Sequence, residues 1–257
     1  MIKKDTFGQS IFLKKIVIRV FGVITYFRYK VINTPKIIGA EIIKDLPSEN
    51  ILFVSNHQTY YADVAFMFHV IHSSLDGNPN KIKLRSILKC MTTNFFFVAA
   101  EETMQAGILP KILGLAGAIS IKRTWREAGK DIKRKVDRKD TDSIEKALKT
   151  GWVVTFPQGT TKPYAEGRKG TAHIIKNYNP IVVPVVINGF RRAFDKKGLF
   201  LKKRGVELQL TIKAPLQLDY SDNIENILYK VIDSIEQSKR FEWESNQVPS
   251  PSIASES

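Results

Sequence analysis

The sequence predicts an α/β fold: a single domain with a mixed central sheet flanked by helices. Short apolar runs typical of buried strands alternate along the chain with segments whose apolar residues recur at helical spacing. The chain has 257 residues, 43% of them apolar and 25% charged, which suits a globular protein with a sizeable core. No linker-like stretch or internal repeat divides it. We therefore expect an N-terminal amphipathic helix within residues 1–34, a main domain over 35–245 and a disordered tail over 246–257.

Local patterns place the individual elements. Strands are predicted where apolar runs are bounded by turn residues, at 51–54, 95–100, 117–121, 152–156, 181–187 and 207–212. Helices are predicted after residue 63, at 110–114, at 142–149 and after a cap at Ser221 or Asp222. Residues 81–90 are compatible with either a strand or a helix. Thr34-Pro35 is expected to break the first helix.

The N-terminal segment mixes large apolar residues with basic ones. Its longest uncharged run, 20–27, is far shorter than the roughly 20 residues that a membrane-spanning helix needs. It also lacks the pattern of a cleaved signal peptide. Two interpretations stay open: a helix that covers the core, or a helix in a membrane interface whose basic side chains reach the lipid headgroups. The basic residues in question are Lys14, Lys15, Arg19 and Arg28.

The net charge of +15 and the pI near 9.8 indicate an anionic partner: nucleic acid, a phosphate-bearing ligand or an anionic membrane. The most basic stretch, 122–139, has Trp125 as its single aromatic residue and no nucleic-acid-binding motif. A solvated or membrane-facing loop is therefore favoured there. One cysteine, Cys90, excludes an intramolecular disulfide and a Cys-based zinc site, which suits a reducing compartment. His69 and His72 lie at metal-ligand spacing but lack a third ligand, so no metal is expected.

The first candidate site is the stretch Ser55-Asn56-His57-Gln58-Thr59-Tyr60-Tyr61-Ala62-Asp63, between a predicted strand and a predicted helix. A histidine and an aspartate here suit a general base with its orienting carboxylate. On a regular helix, six residues turn the chain by about 600°, which leaves the two side chains roughly 120° apart. The pair can therefore meet only if His57 lies in the loop and Asp63 in the first helical turn. An ordinary hydrogen-bonded polar pair is the alternative.

The second candidate site follows the strand at 152–156. The stretch Pro157-Gln158-Gly159-Thr160-Thr161-Lys162-Pro163 predicts a tight loop with exposed backbone N–H groups. With a lysine nearby, such a loop suits an oxyanion or an anionic headgroup. A plain turn between a strand and a helix is the alternative.

Taken together, these stretches resemble the glycerolipid (1-acylglycerol-3-phosphate-type) acyltransferase family. Four blocks occur in the family's order, within a match over roughly 50–215: 55–63, Gly117-Ala118-Ile119-Ser120-Ile121-Lys122-Arg123, Phe156-Pro157-Gln158-Gly159-Thr160-Thr161, and Val183-Pro184-Val185 within 181–189. The resemblance implies that His57 deprotonates the hydroxyl of a lyso-lipid, which attacks an acyl-CoA or an acyl-carrier protein, while Asp63 orients the imidazole ring. It implies no metal or other cofactor. Backbone N–H groups near Gly159 or His57 are candidates for stabilising the oxyanion. The substrate-binding residues that it implies are Asn56, Arg123, Gln158, Gly159, Thr160, Thr161 and Lys162.

Three departures from the family pattern bear on this reading. Five residues separate His57 from Asp63, whereas the family has four, so the inert Ala62 stands in the family's aspartate position. Gln158 replaces a glutamate. Thr161 replaces the arginine of members that act on a phosphomonoester, and threonine cannot supply a bidentate guanidinium. Lysophosphatidic acid therefore stays open as acceptor beside another lysophospholipid or a lyso-aminolipid, with Lys162 and Arg168 as compensating charges.

The function expected from the sequence is that of a membrane-associated O-acyltransferase of lipid biosynthesis. Its expected partners are the lyso-lipid, the acyl donor and an anionic membrane surface on the cytoplasmic side, without nucleic acid. The alternative from another class is a catalytically silent lipid-binding protein on the same fold, which the altered His57–Asp63 spacing would favour. A nucleic-acid binder has only the net charge in its favour.

Overall fold

The computed structural model describes residues 3–122, 126–127, 130–131 and 138–247, and it confirms the predicted α/β class. The strands are β1 Thr34–Ile38, β2 Ile51–Ser55, β3 Phe95–Ala100, β4 Ala118–Ile121, β5 Arg126–Glu127, β6 Lys130–Asp131, β7 Trp152–Thr155, β8 Ile181–Asn188 and β9 Glu207–Ile212. Each of the six predicted strands is present, with bounds that differ from the prediction by at most one residue.

Seven strands form one mixed sheet in the order β1-β9-β8-β2-β7-β3-β4. The five strands from β8 to β4 are parallel, β9 runs antiparallel to β8, and β1 runs parallel to β9. The carboxyl ends of β8, β2 and β7 therefore lie side by side at one edge, with β2 in the middle. This edge is where open α/β sheets place their ligands.

Helices cover both faces of the sheet, which explains why its inner strands are continuous apolar runs. The helices are α1 Ile11–Tyr26, α2 Ala62–Leu75, α3 Leu84–Lys89, α4 Glu101–Gln105, α5 Ile108–Gly114, α6 Arg138–Leu148, α7 Lys169–Tyr178, α8 Phe190–Ala193, α9 Ile224–Ser234 and α10 Lys239–Gln247. Along β2, Ile51 and Phe53 enter one core with α2, while Leu52 and Val54 enter the other with α6, α7 and α9.

Some local details were wrong or not predicted. Thr34-Pro35 lies beyond the end of the first helix, as expected, and begins the strand β1, which the sequence did not predict. Pro35 is tolerated there because β1 is an edge strand. The cap of α9 is Asn223, whose side chain accepts the Asn226 N–H, instead of Ser221 or Asp222. The sequence did not indicate α10. The ambiguous segment 81–90 contains the helix α3. Of the tail expected over 246–257, the first two residues belong to α10, and 248–257 lie outside the described residues.

The N-terminal helix α1 packs on one side against α2 and α3 and exposes the other side. Gly22 lies so close to α3 that an added Cβ would be 2.5 Å from Ile87 Cγ1. No helix among the described residues is long and apolar enough to cross a membrane. The exposed side is nevertheless apolar, and its larger residues are Phe12, Leu13, Ile16, Val20, Ile24, and beyond the helix Phe27 and Val31.

Three of the four basic side chains that the interfacial interpretation places at lipid headgroups are bonded to other groups of the protein. Lys14 is buried and its ammonium lies 3.3 Å from the Asp5 carboxylate. Arg19 Nε donates to the Leu88 carbonyl at 2.8 Å, and Arg28 donates to the Leu199 carbonyl. The helix thus covers the core, as one interpretation proposed, and leaves an apolar rather than a strongly basic outer face.

Candidate active site

The structure brings His57 and Asp63 together at the carboxyl end of β2. His57 lies in the loop after the strand, and Asp63 lies in the first turn of α2, which begins at Ala62. His57 Nδ1 is 3.0 Å from Asp63 Oδ2. This is the arrangement that the six-residue separation demanded. The altered spacing is therefore accommodated, and Asp63, not residue 62, carries the carboxylate that meets the imidazole.

The Asp63 carboxylate is fully buried and held by its own loop. It accepts hydrogen bonds from Gln58 N at 2.5 Å, from Thr59 N at 3.1 Å and from Thr59 Oγ1 at 2.7 Å. A carboxylate so fixed has one orientation toward the ring. Because an ionised carboxylate can only accept, neutral His57 carries its hydrogen on Nδ1 and keeps the lone pair of Nε2 for another partner.

The His57 ring is also fixed from the side of β7. Phe156, the residue after that strand, stacks on the imidazole with ring centroids 3.9 Å apart and an interplanar angle of 22°. The His57 side chain keeps 14% of its surface exposed. The ring is thus clamped between a buried carboxylate and an aromatic face while one part of it remains open to a substrate.

A hairpin after α8, residues 194–201, is closed by the antiparallel bridge between Phe194 and Leu201 and holds the longer loop between His57 and Asp63. Tyr60 N donates to the Lys196 carbonyl at 3.1 Å and Tyr61 N to the Lys197 carbonyl at 3.0 Å. Gly198, at φ +78°, presses on the same loop, since an added Cβ would be 2.7 Å from Ala62 N. This contact explains how the five intervening residues form a defined structure. The sequence offered no signal for it, because the hairpin is more than 130 residues away.

Asn56 ties the site to the neighbouring strand β8. Its side chain donates to the Ile187 carbonyl at 2.8 Å and accepts from Ile187 N at 2.7 Å. Asn56 is buried, and both ends of its amide are used by the protein. The structure therefore gives this predicted substrate-binding residue a partner within the fold, and its position suits a positioning role.

The loop after β7 is tight, as the sequence indicated, but two of its predicted groups are already bonded. Gly159 takes φ +62° and donates its N–H to the Phe156 carbonyl at 2.9 Å, so that N–H is not open to an oxyanion. Gln158 is buried and donates to the Ala165 carbonyl at 2.8 Å and to Gln237 Oε1 at 3.3 Å. Both groups are thus bonded within the protein, where they shape the loop.

Of the remaining predicted residues, three lie in the loop after β7 and one is not described. Thr160, Thr161 and Lys162 continue the loop that carries Phe156, and Thr160 Oγ1 accepts from Lys162 N at 3.2 Å. Lys162 is exposed, whereas Thr161 is buried. Arg123 lies outside the described residues. The strand before it, β4, ends at the same edge of the sheet as β2.

The site also includes a residue that the sequence analysis did not single out. Arg191, in α8 after β8, donates through Nη2 to the Thr161 carbonyl, and its backbone N–H donates to Gln58 Oε1 at 3.2 Å. It therefore contacts both loops that flank His57. The only signal available in the sequence was its place just after the apolar block 181–189.

The histidines considered as metal ligands lie elsewhere, inside α2. His69 Nε2 is 2.9 Å from Thr25 Oγ1, and burial lowers the pKa of His69 to about 3. Burial likewise lowers the pKa of His72 to about 4. Within the part of the chain that the structure describes, no group of three or more His, Cys, Asp or Glu side chains is arranged to hold a metal ion.

These features can be compared with known proteins. A family model described as Acyltransferase matches residues 35–188, more than half of the chain. The chain therefore belongs to the acyltransferase family, and the resemblance drawn from its motifs is confirmed. A solved structure with a similar fold is the crystal structure of the 1-acyl-sn-glycerophosphate (LPA) acyltransferase PlsC from Thermotoga maritima. It is 18% identical with a TM-score of 0.54, over 91% of this chain and 80% of that one. Among curated proteins, none matches this sequence.

Proposed function

We propose that this acyltransferase moves a fatty acyl chain from a thioester to the hydroxyl of a lyso-lipid at a membrane surface. The observation that carries the proposal is the 3.0 Å contact between His57 Nδ1 and the buried Asp63 carboxylate, which leaves Nε2 with a lone pair. The acyl donor is acyl-CoA or an acyl-carrier protein. The acceptor is lysophosphatidic acid or a related lysophospholipid or lyso-aminolipid.

The proposed reaction needs no group beyond the two substrates and the protein. His57 Nε2 takes the proton of the acceptor hydroxyl while its oxygen attacks the thioester carbonyl carbon. The tetrahedral intermediate collapses with cleavage of the C–S bond, and the thiolate leaves with the proton from His57. The products are an ester and a free thiol. Asp63 holds the ring in the productive tautomer and stabilises the imidazolium that forms between the two steps.

The silent lipid-binding alternative now has little support. It rested on the five-residue spacing, which places Ala62 in the family's aspartate position. Since Asp63 reaches His57 through the longer loop, the spacing no longer argues against catalysis.

Membrane attachment is part of the proposal, and the exposed face of α1 supports it. Phe12, Ile16, Val20 and Ile24 recur at intervals of four residues and are all exposed. A stripe of this kind suits insertion into the headgroup region of a bilayer, parallel to its plane. The net charge of +15 adds attraction to an anionic surface, and we place the enzyme on the cytoplasmic face. We expect no nucleic-acid partner.

An acyl-transfer assay tests the proposed function. Labelled acyl-CoA and acyl-carrier protein are offered in turn with a panel of lyso-lipids in vesicles. We expect transfer by the unmodified protein and a loss of about 10²–10⁴-fold in kcat for His57→Ala. His173→Ala, at an exposed histidine of α7, is the matched control and should keep full activity. Equal activity of His57→Ala and His173→Ala would overturn the proposal.

A further inference from the structure

Arg191 occupies a distinctive position at the carboxyl edge of the sheet. It lies in α8, directly after β8, and β8 borders β2 on the side opposite β7. The loop that carries Thr161 follows β7. A side chain that reaches from α8 to Thr161 therefore crosses the end of β2, where the His57 loop begins.

The hydrogen bonds of Arg191 hold its side chain across the end of β2. Its guanidinium donates through Nη2 to the Thr161 carbonyl, and its backbone N–H donates to Gln58 Oε1 at 3.2 Å. Gln58 is the residue next to His57. Lys202 adds a second cation, since its ammonium donates to the Arg191 carbonyl at 3.3 Å. Three segments that are distant in sequence are thus joined beside the proposed base.

The positive charge at this position is not neutralised by the protein. Arg191 is exposed, and no carboxylate within the described residues pairs with it or with Lys202. The nearest acidic side chain in sequence, Asp195, accepts instead from Leu199 N and Phe200 N at 2.7 and 2.9 Å. One guanidinium N–H is used by the Thr161 carbonyl, and no acceptor within the described ranges takes the remaining donors of the fork.

We propose that Arg191 binds the phosphate of the acceptor lipid and so selects an anionic headgroup for the proposed acyl transfer. The proposal rests on that function and names the residue that recognises its acceptor. A planar guanidinium with several free N–H groups matches a phosphate in a bidentate manner, and the Thr161 carbonyl holds it in place. Thr161 itself is buried and uncharged, and Arg191, from α8, brings a guanidinium to this loop beside the exposed Lys162.

Phosphate could reach this site from either substrate, because coenzyme A also carries phosphates. The assay therefore varies acceptor and donor separately. The acceptors are lysophosphatidic acid and an uncharged monoacylglycerol with the same acyl chain. The donors are acyl-CoA and an acyl-pantetheine without phosphates. The variants are Arg191→Gln and, as the matched control in the same helix, Arg192→Gln.

The proposal predicts a selective effect on one Michaelis constant. Arg191→Gln should raise KM for lysophosphatidic acid by about 10–100-fold, which is the loss of affinity expected when hydrogen bonds to a charged group are removed. KM for the donor and the rate with monoacylglycerol should stay within about twofold, and Arg192→Gln should change neither. Arg191→Lys should recover part of the loss, because it restores the charge without the fork.

Three results would overturn the proposal while leaving the acyltransferase function intact. They are equal effects of Arg191→Gln and Arg192→Gln, equal effects with charged and uncharged acceptors, and an effect confined to KM for acyl-CoA. If no acyl transfer is detected, binding of the acceptor is measured instead. Short-chain lysophosphatidic acid is titrated calorimetrically into each folded variant. Binding that Arg191→Gln abolishes and Arg192→Gln keeps supports the site, and no binding to the unmodified protein refutes it.

Discussion

Replacing Gly198 by alanine is expected to disturb the His57–Asp63 pair from a distance. An alanine Cβ at this position would be 2.7 Å from Ala62 N and 2.9 Å from Thr59 Oγ1. Thr59 Oγ1 is the atom that donates to Asp63 Oδ1 at 2.7 Å. The added methyl group therefore has to displace the residues that hold the carboxylate. None of the contacting atoms is the far end of a flexible side chain.

The expected loss of folding free energy in Gly198→Ala has two contributions. The backbone at Gly198 has φ +78°, and an alanine there costs about 1–2 kcal/mol of folding free energy. Overpacking against Thr59 and Ala62 adds about 1–3 kcal/mol. Gly205→Ala isolates the first part, since Gly205 has φ +68° but nothing within 4 Å of the added Cβ. A shift of about 1 Å in a catalytic group lowers kcat by about 10²-fold, and we expect that loss for Gly198→Ala alone.

The assay measures kcat and KM of both glycine variants together with their free energies of unfolding. Gly198→Ala should lose kcat with little change in KM and should be less stable than Gly205→Ala. A kcat for Gly198→Ala within twofold of that for Gly205→Ala would refute the reasoning that the hairpin sets the geometry of the pair.

Three further predictions concern packing, pH and the membrane. Asn56→Ala leaves two buried backbone groups of β8 without their partner, so denaturant titration should show a loss of about 2–4 kcal/mol, and a loss below 1 kcal/mol would contradict the account. Burial lowers the pKa of His69 to about 3 and of His72 to about 4, below an unfolded value near 6.5, so the unfolded chain binds more protons below pH 6.5. The free energy of unfolding should then be lower at pH 5 than above pH 6.5, by about 2 kcal/mol for each histidine. Denaturant titration at the two pH values should show no such difference for the variant with leucine at both positions. Val20→Glu with Ile24→Glu should abolish flotation with anionic vesicles without lowering the melting temperature, and unchanged flotation would show that α1 is not the attachment surface.

The sequence determined most of the sheet because the inner strands are buried on both faces. The run 51–54, for example, is apolar throughout and has almost no exposed surface, so local pattern alone located β2. The edge strand β1 was missed for the opposite reason. It contains Pro35, and its single partner, β9, is more than 170 residues later in the chain. Only the folded structure reveals that pairing.

The site was predictable to the extent that its chemistry is local. His57 and Asp63 are six residues apart, so helix geometry alone predicted that they can meet only with His57 in the loop and Asp63 in the first helical turn. The hairpin at Gly198 and the bridge made by Arg191 depend on tertiary contacts, which no local pattern encodes. The hydrogen bonds of Gln158 to Ala165 and Gln237 likewise join residues that no local pattern pairs.

The central claim is that Asp63, held by the longer loop, is the functional partner of His57. The most direct measurement compares kcat of Asp63→Asn with that of a double variant in which Ala62→Asp is added. The account predicts a loss of about 10²–10⁴-fold for Asp63→Asn and no recovery in the double variant, because the side chain of residue 62 lies against Gly198. Full activity of Asp63→Asn, or recovery on placing the carboxylate at position 62, would contradict it.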